Sequence, residues 1–522
     1  MNNKDTIILG IDIGTTSAKS VLFYTNGAVL ASSEISYPTL SPQPAWSEQD
    51  PEVILRAVKL SVSQSIASSN TEPSKIAAAG FSTAMHSLLA VTKEGKAMTN
   101  SIIWSDNRSA EQVTTLKQSN EALEFYLRTG TPIHTMSPLS KLLWMKEHTP
   151  DVFQRAYKFI SIKEYIWFHL FGEFVVDYSI ASASGLLNLS KNEWDQEILQ
   201  YIGMTKDQLS ELVPITYKQE LSHASIAQEL GVSNSTPFVI GASDGVLANV
   251  GVGAGSNDKT VITIGTSGAI RRTVKEPKTD QHQRTFCYAL TENSWVIGGA
   301  TNNGGNAFRW FRDEWSKGKQ MDDAQEMTKD VYEYLLSLAE TSPAGAKGLL
   351  FMPFLNGERA PYWNPNARAG FVGIGNHHTQ PDFIRSLLEG VIFSIYSVGL
   401  ALRDLSGPLT EIRASGGFAR SPLWLQILSD VFGKEIQIPS SHHASAFGAG
   451  IVALLGTGHL QSLEESDRWI DIKHMYEPNK QTNETYLELF ELYESVYQAL
   501  EQPFDQLARI QQRYKSQSTP LK

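Results

Sequence analysis

The segment Ile11-Asp12-Ile13-Gly14-Thr15-Thr16-Ser17-Ala18 returns in the other half of the chain as Ile262-Thr263-Ile264-Gly265-Thr266-Ser267-Gly268-Ala269, with five of eight positions identical. Each copy is a β-branched run ending in glycine and small hydroxyl residues, the pattern of a strand entering a tight turn. Glycine lets the backbone turn back close to a ligand. Successive N–H groups with serine and threonine hydroxyls then form a cradle for phosphate oxygens. One such turn says little. Two related turns, each heading a half-chain, predict a duplicated fold that grips one polyphosphate from both sides. The copies differ at Asp12, which Thr263 replaces, so only the first turn offers a carboxylate to a magnesium ion or its waters.

The order of elements repeats as well. Strand-like runs at Thr6–Ile13, Ala18–Tyr24 and Val29–Ser36 precede a helical pattern at Pro51–Ser69 and a strand at Ile76–Phe81. The second half opens with Thr260–Ile264 and Ala269–Val274, then Phe286–Leu290 and Trp295–Gly299. Helices at Asn306–Trp315, Pro381–Leu405 and Pro422–Phe432 follow, with strands at Glu411–Ala414 and Glu435–Ile438. Meandering strands followed by helix–strand units predict an α/β fold built on a mixed sheet. At 522 residues the chain exceeds one core. The expected division is a first domain over 1–253, a second over 254–470 and a helical tail over 471–522, with the boundary in the glycine-rich Gly251–Gly255. Residues 110 to 235 read as helix-rich insertions, and the tail, whose last residues should fray, could dock on either domain.

Composition narrows the function. A formal charge of −11 argues against nucleic acid or an anionic membrane as partner. Cys287 is the only cysteine, so no internal disulfide or cysteine-rich zinc site can form. The His377-His378 and His442-His443 pairs lack helical spacing and nearby carboxylates, so no zinc is assigned. The apolar run near the N-terminus is too short for a signal peptide, and no uninterrupted apolar stretch reaches membrane-helix length. The expectation is a cytoplasmic protein with a small-molecule ligand.

Several residues are placed for chemistry. Asp244 stands between the β run Pro237–Ile240 and the helical Val246–Val250, where α/β sheets bind ligands; it could accept the proton of an attacking hydroxyl or simply cap the helix. Asp12, a charge inside a β run beside a phosphate turn, reads as the magnesium site. Lys19 could reach a phosphate or sit in solvent. Met85, His86, Trp104, Asp106 and Arg108 combine apolar, aromatic and charged groups that suit a polyhydroxylated ligand. The glycine-rich junctions at Asn302–Gly305 and Ser415–Pro422 could admit a nucleotide close to backbone N–H groups.

With these residues in hand, the chain resembles the FGGY sugar kinases of the actin/hexokinase ATPase superfamily from about Ile8 to Gly456. Met136–His148 is similar to the family's first signature at each defined position, and Ala369–Glu389 to its second, with Leu387 where a smaller or β-branched residue is usual. The resemblance implies two ribonuclease-H-like domains with an interdomain cleft and ATP-dependent phosphorylation of a sugar, polyol or sugar acid. It implies that Gly14, Thr15, Thr16, Lys19, Gly265, Thr266 and Ser267 serve the phosphates, that Asp12 organises Mg2+ and that Asp244 is the base. Gly305, Gly417 and Ser421 match nucleotide-side positions, while Arg309 and Phe418 depart from the commoner Gln and Gly. Within the family, the loops around Met85-His86, Trp104–Ser109 and Gly130–His134 look most like those of gluconate kinases; a xylulose kinase is the alternative. Glycerol kinases would want Arg-Glu at Met85-His86. A sugar-acid carboxylate could meet Arg108, His134 or Arg271, and a homodimer is left open. A non-transferring ATPase is the opposing reading; it has two phosphate turns without an aspartate placed for a sugar hydroxyl.

Overall fold

The first strand alternates between two apolar faces, Ile7, Leu9, Ile11 and Ile13 on one and Ile8 on the other, as a strand sandwiched between helices requires. In the computed structural model of the chain, Ile7–Ile13 pairs antiparallel with Ser17–Tyr24, and that strand with Val29–Ser36. On its other edge it runs parallel to Ile76–Thr83, which runs parallel to Phe238–Ser243; Lys218–Gln219 closes that edge antiparallel. The structure describes residues 6–221, 223–255, 259–315, 330–440 and 443–517. It divides into two compact units. The first comprises Met1–Asn257, Arg272–Ile297 and Ser440–Asp471, the second Asp258–Arg271, Gly298–Pro439 and Ile472–Lys522.

In unit 1 the helix Pro51–Ser69 covers one sheet face. Asp50 caps it by accepting from the Glu52 and Val53 N–H groups, Pro51 occupies its first turn, and Asn70 ends it in the left-handed conformation. Its buried stripe of Ile54, Val58, Val62 and Ile66 packs with Leu9, Ile11, Phe81 and Phe238. The opposite face, with Ile8, Val21, Ala78 and Val239, is covered by the helix Ala444–Gly456 through Ala446, Phe447 and Ala449. That helix is buried along most of its length. It therefore lacks the polar face that would announce a helix in sequence.

The seating of this helix depends on glycine. A Cβ on Gly10 would lie 2.0 Å from the Ala446 carbonyl oxygen, and one on Gly80 would lie 2.1 Å from that of Ala449. Backbone on backbone cannot yield as a flexible side chain would. We expect Gly10→Ala to destabilise unit 1 by about 1–3 kcal/mol, the usual range for overpacking. Gly265→Ala, which meets nothing within 4 Å, is the control. Thermal unfolding followed by circular dichroism checks this; an unchanged Tm for Gly10→Ala would mean that the helix does not sit there.

Unit 2 repeats the plan. Lys259–Ile264 runs parallel to Glu411–Ser415, this parallel to Ile436–Pro439, and the last pairs antiparallel with Ile472–Tyr476. The register repeats too: Asp12 faces Ser82 in the first sheet, and Thr263 faces Ser415 in the second. The duplication inferred from two turns thus extends to the strands beside them.

The core helix of unit 2, Gln380–Ser406, starts in a capping box of Thr379 and Asp382. By length and composition it could cross a membrane, but 83% of its apolar window is buried inside the protein. The tail helix Lys480–Gln517 docks on this unit. Tyr486 donates to Glu389 at 2.7 Å, and Glu494 accepts from Tyr362 and Ser397, each at 2.6 Å. The final residues expected to fray lie outside the described residues, as does His442. The insertion over 110 to 235 is helix-rich and belongs to unit 1.

Candidate active site

Asp12 is the penultimate residue of the first strand, Ile7–Ile13, next to the turn. Its carboxylate accepts from Ser82 Oγ at 2.7 Å. It keeps some surface exposure, yet protein packs densely around it. Desolvation is the main force raising its pKa to about 7; the nearby Asp244 charge adds to this, while the Ser82 hydrogen bond and Lys19 oppose it. The two acidic residues named from sequence are therefore electrostatic neighbours. Thr263, at the matching place in unit 2, exchanges a hydroxyl hydrogen bond with Ser415 at 3.0 Å and carries no charge.

The first turn closes by Gly14 N–H donating to the Ser17 carbonyl at 2.9 Å. Thr15 is held from two sides: Gln49 Nε2 donates to its carbonyl, and Trp104 Nε1 donates to its Oγ1 at 3.0 Å. Thr16 is exposed at the tip. Lys19 pairs with Glu34 at 2.7 Å on the neighbouring strand. A small recess is lined by Gly14, Thr15, Gln49, Met85, Ile103 and Trp104, bringing phosphate-turn and acceptor-loop residues together.

Asp244 opens the helix Asp244–Gly251 and is partly exposed. The N-cap position belongs to Ser243, so Asp244 is not the cap. Its Oδ1 accepts from the adjacent Gly245 N–H at 2.6 Å, and Ser445 Oγ donates to its carbonyl at 3.3 Å.

The remaining acceptor-side residues divide. His86 is buried with a positive φ of 70°, and its Nδ1 lies 2.8 Å from the Ala183 carbonyl. Asp106 is fully buried and accepts from the Ser47 N–H and from Arg108. Arg108 is ion-paired within unit 1. Its guanidinium reaches Glu48 at 2.6 Å and Asp106 at 2.8 Å and lies 3.7 Å from the Trp46 ring centroid, with 3% of the side chain exposed. His134 is partly exposed, and its Nδ1 accepts from the Met136 N–H at 3.1 Å.

In unit 2 the second turn is locked by the start of the helix Gly305–Trp315. Gly305 N–H donates to the Gly265 carbonyl at 2.7 Å and Asn306 N–H to that of Thr266 at 3.1 Å. A cavity of about 500 Å³ adjoins it. Gly265, Thr266, Gly305, Gly417 and Ser421, all named from sequence, line it. Phe308, Tyr332, Phe418 and Trp424 give it aromatic walls, and Arg309 and Arg420 bring cationic groups. Gly416 sits at φ 103°, and a Cβ there would lie 2.4 Å from the Ile264 carbonyl oxygen, so this strand-to-helix crossing needs glycine.

Sequence alone marks neither Gln49 nor Ser82, and it marks Lys141 only as part of the signature-like segment Met136–His148. Gln49 and Ser82 reach the first turn only through long-range pairing and carry no local signal. Lys141 did carry one: it is a charge on the helix Pro138–His148 among the buried Leu139, Leu142 and Met145.

Comparison with known proteins covers both halves. The model of the N-terminal domain of the FGGY family of carbohydrate kinases matches residues 7–251, and that of the C-terminal domain matches 260–457. A gluconokinase of Bacillus subtilis (strain 168) is 43% identical over 97% of this chain and 98% of its own. Two crystal structures from Lactobacillus acidophilus, one of a gluconate kinase and one of a ligand-bound xylulose kinase, each superpose with a TM-score of 0.90 at 35% identity. Both cover 96% of this chain, and 99% and 100% of their own chains respectively.

Proposed function

Because the chain belongs to the FGGY family of carbohydrate kinases, we propose that it transfers the terminal phosphoryl group of ATP to the terminal hydroxyl of D-gluconate, giving 6-phosphogluconate and ADP. The similarity to a gluconokinase at 43% identity over nearly the whole chain carries the choice of acceptor. The xylulose kinase structure at 35% identity makes xylulose the second reading.

On this reading the cavity of unit 2 takes the nucleotide. Its aromatic walls suit a planar heterocycle, and the Gly265–Ser267 turn cradles phosphates. The Gly14–Thr16 turn does the same in unit 1. Asp244, partly exposed and charged, takes the hydroxyl proton as the oxygen attacks phosphorus. Mg2+ fits the Asp12 environment, because a cation there would favour the charged form of a desolvated carboxyl that lies beside a second carboxylate. When bound, it would neutralise phosphate charge. Met85 and Trp104 border the acceptor; Asp106 and Arg108 shape the loop behind them. We place the domain boundary near residue 253, which the family matches ending at 251 and resuming at 260 support.

A coupled ADP-release assay across gluconate, xylulose, ribulose, glycerol and fuculose tests the acceptor. Gluconate should have the highest kcat/KM. With Arg108 held by Glu48 and Asp106, His134 is the first basic residue to try. A charge-assisted hydrogen bond to the sugar-acid carboxylate is worth about 1.5–3 kcal/mol, so His134→Gln should narrow gluconate's lead over xylulose about ten-fold or more. A wild-type preference for xylulose would overturn the acceptor and leave the kinase chemistry standing.

A further inference from the structure

Lys141 has no exposed surface. Its Nζ donates to three main-chain carbonyls: His86 at 2.5 Å, Ile103 at 3.0 Å and Ile102 at 3.2 Å. An ammonium offers three donors and no acceptor, so its capacity is matched one to one. The carbonyls come from two segments well apart in sequence. One is the turn that follows Ile76–Thr83, where His86 adopts a positive φ that non-glycine residues seldom take. The other is the strand end leading straight into Trp104.

These two segments carry Met85 and Trp104, which line the recess beside Gly14 and Thr15. A pair of backbone hydrogen bonds between Leu88 and Ile102 already aligns them at one point. The lysine adds a second tie, nearer the recess. Packing alone does not explain a cation here, since a buried charge is often replaced by an apolar side chain of similar volume without loss of stability. Burial lowers its pKa to about 7, with Asp106 and Arg108 pulling in opposite directions. The three carbonyls favour the charged form.

We propose that Lys141 is a positioning residue of the acceptor site, setting the separation between the Met85–His86 turn and the Ile103–Trp104 segment without touching the sugar. This rests on the acceptor-site reading above. Its signature is a change in acceptor KM larger than any change in ATP KM, because Lys141 contacts the acceptor-side segments directly and reaches the phosphate turn only through the Trp104–Thr15 hydrogen bond.

The test is initial-rate kinetics on Lys141→Met and Lys141→Gln, using whichever sugar or sugar acid the wild type turns over fastest. A displacement of ~1 Å at a binding element can change rates by about 10²-fold. We therefore expect Lys141→Met to raise acceptor KM about ten-fold or more, with kcat within about three-fold and a clearly smaller change in ATP KM. Lys141→Gln keeps two N–H donors and should fall between. An acceptor KM at the wild-type value in the folded variants, or an equal rise in ATP KM, overturns the proposal. So does a fall in kcat alone, which would mean only less folded enzyme. If Lys141→Met yields no folded protein, Lys141→Gln decides by the same criteria. The wild-type acceptor panel judges the functional reading separately, since it does not involve the variants.

Discussion

Asp244→Asn should lower turnover by roughly 10²-fold or more while nucleotide and acceptor affinities stay within a few-fold. The amide keeps the shape of the side chain and loses its charge and its ability to take a proton. Ser243 holds the N-cap position, so the substitution removes no cap from the helix Asp244–Gly251. Binding measured by calorimetry and turnover by the coupled assay separate the two effects. Near-normal turnover would strip Asp244 of the base role.

Asp12→Ala should abolish magnesium-dependent turnover, whereas Thr263→Ala should be mild. The two positions are equivalent in register, each facing a serine across a parallel pair, and differ in charge. Titrating magnesium against rate in both variants checks the asymmetry; equal losses would make Asp12 a fold element. Stability gives a second readout. The folded pKa of Asp12 is raised from 3.8 to about 7. The native state therefore holds a proton that the unfolded chain has released across that window. The resulting penalty grows as pH rises through the window and is complete above about 7. Ligand-free Asp12→Asn should thus have a higher Tm than wild type at pH 8 and a similar one at pH 4. On the magnesium reading of Asp12, the same substitution would gain stability in the ligand-free protein and lose function.

The sequence and structure agree where local rules dominate. Pro51–Ser69 and Pro422–Phe432 begin and end where Asp50, Pro51, Asn70, Ser421 and Gly433 say they should. The cavity lining was legible at Gly265, Thr266, Gly305, Gly417 and Ser421 because phosphate turns and tight crossings leave a glycine and hydroxyl trace. What depends on the third dimension was not. Ser82 meets Asp12 only through strand register. Arg108 looks in sequence like a ligand group, and its packing against Trp46, Glu48 and Asp106 has no local trace. The helix Ala444–Gly456 is apolar all round, so periodicity could not assign it a face.

That helix has a consequence for synthesis. The sheet it covers is built from residues 7 to 243, yet the cover is encoded some two hundred residues later. On a ribosome the first half of the protein would emerge with Ile8, Val21, Ala78 and Val239 on a bare apolar surface until the chain is almost finished. The order of translation thus runs against the order of packing, and that exposed face is an aggregation hazard for the nascent first half.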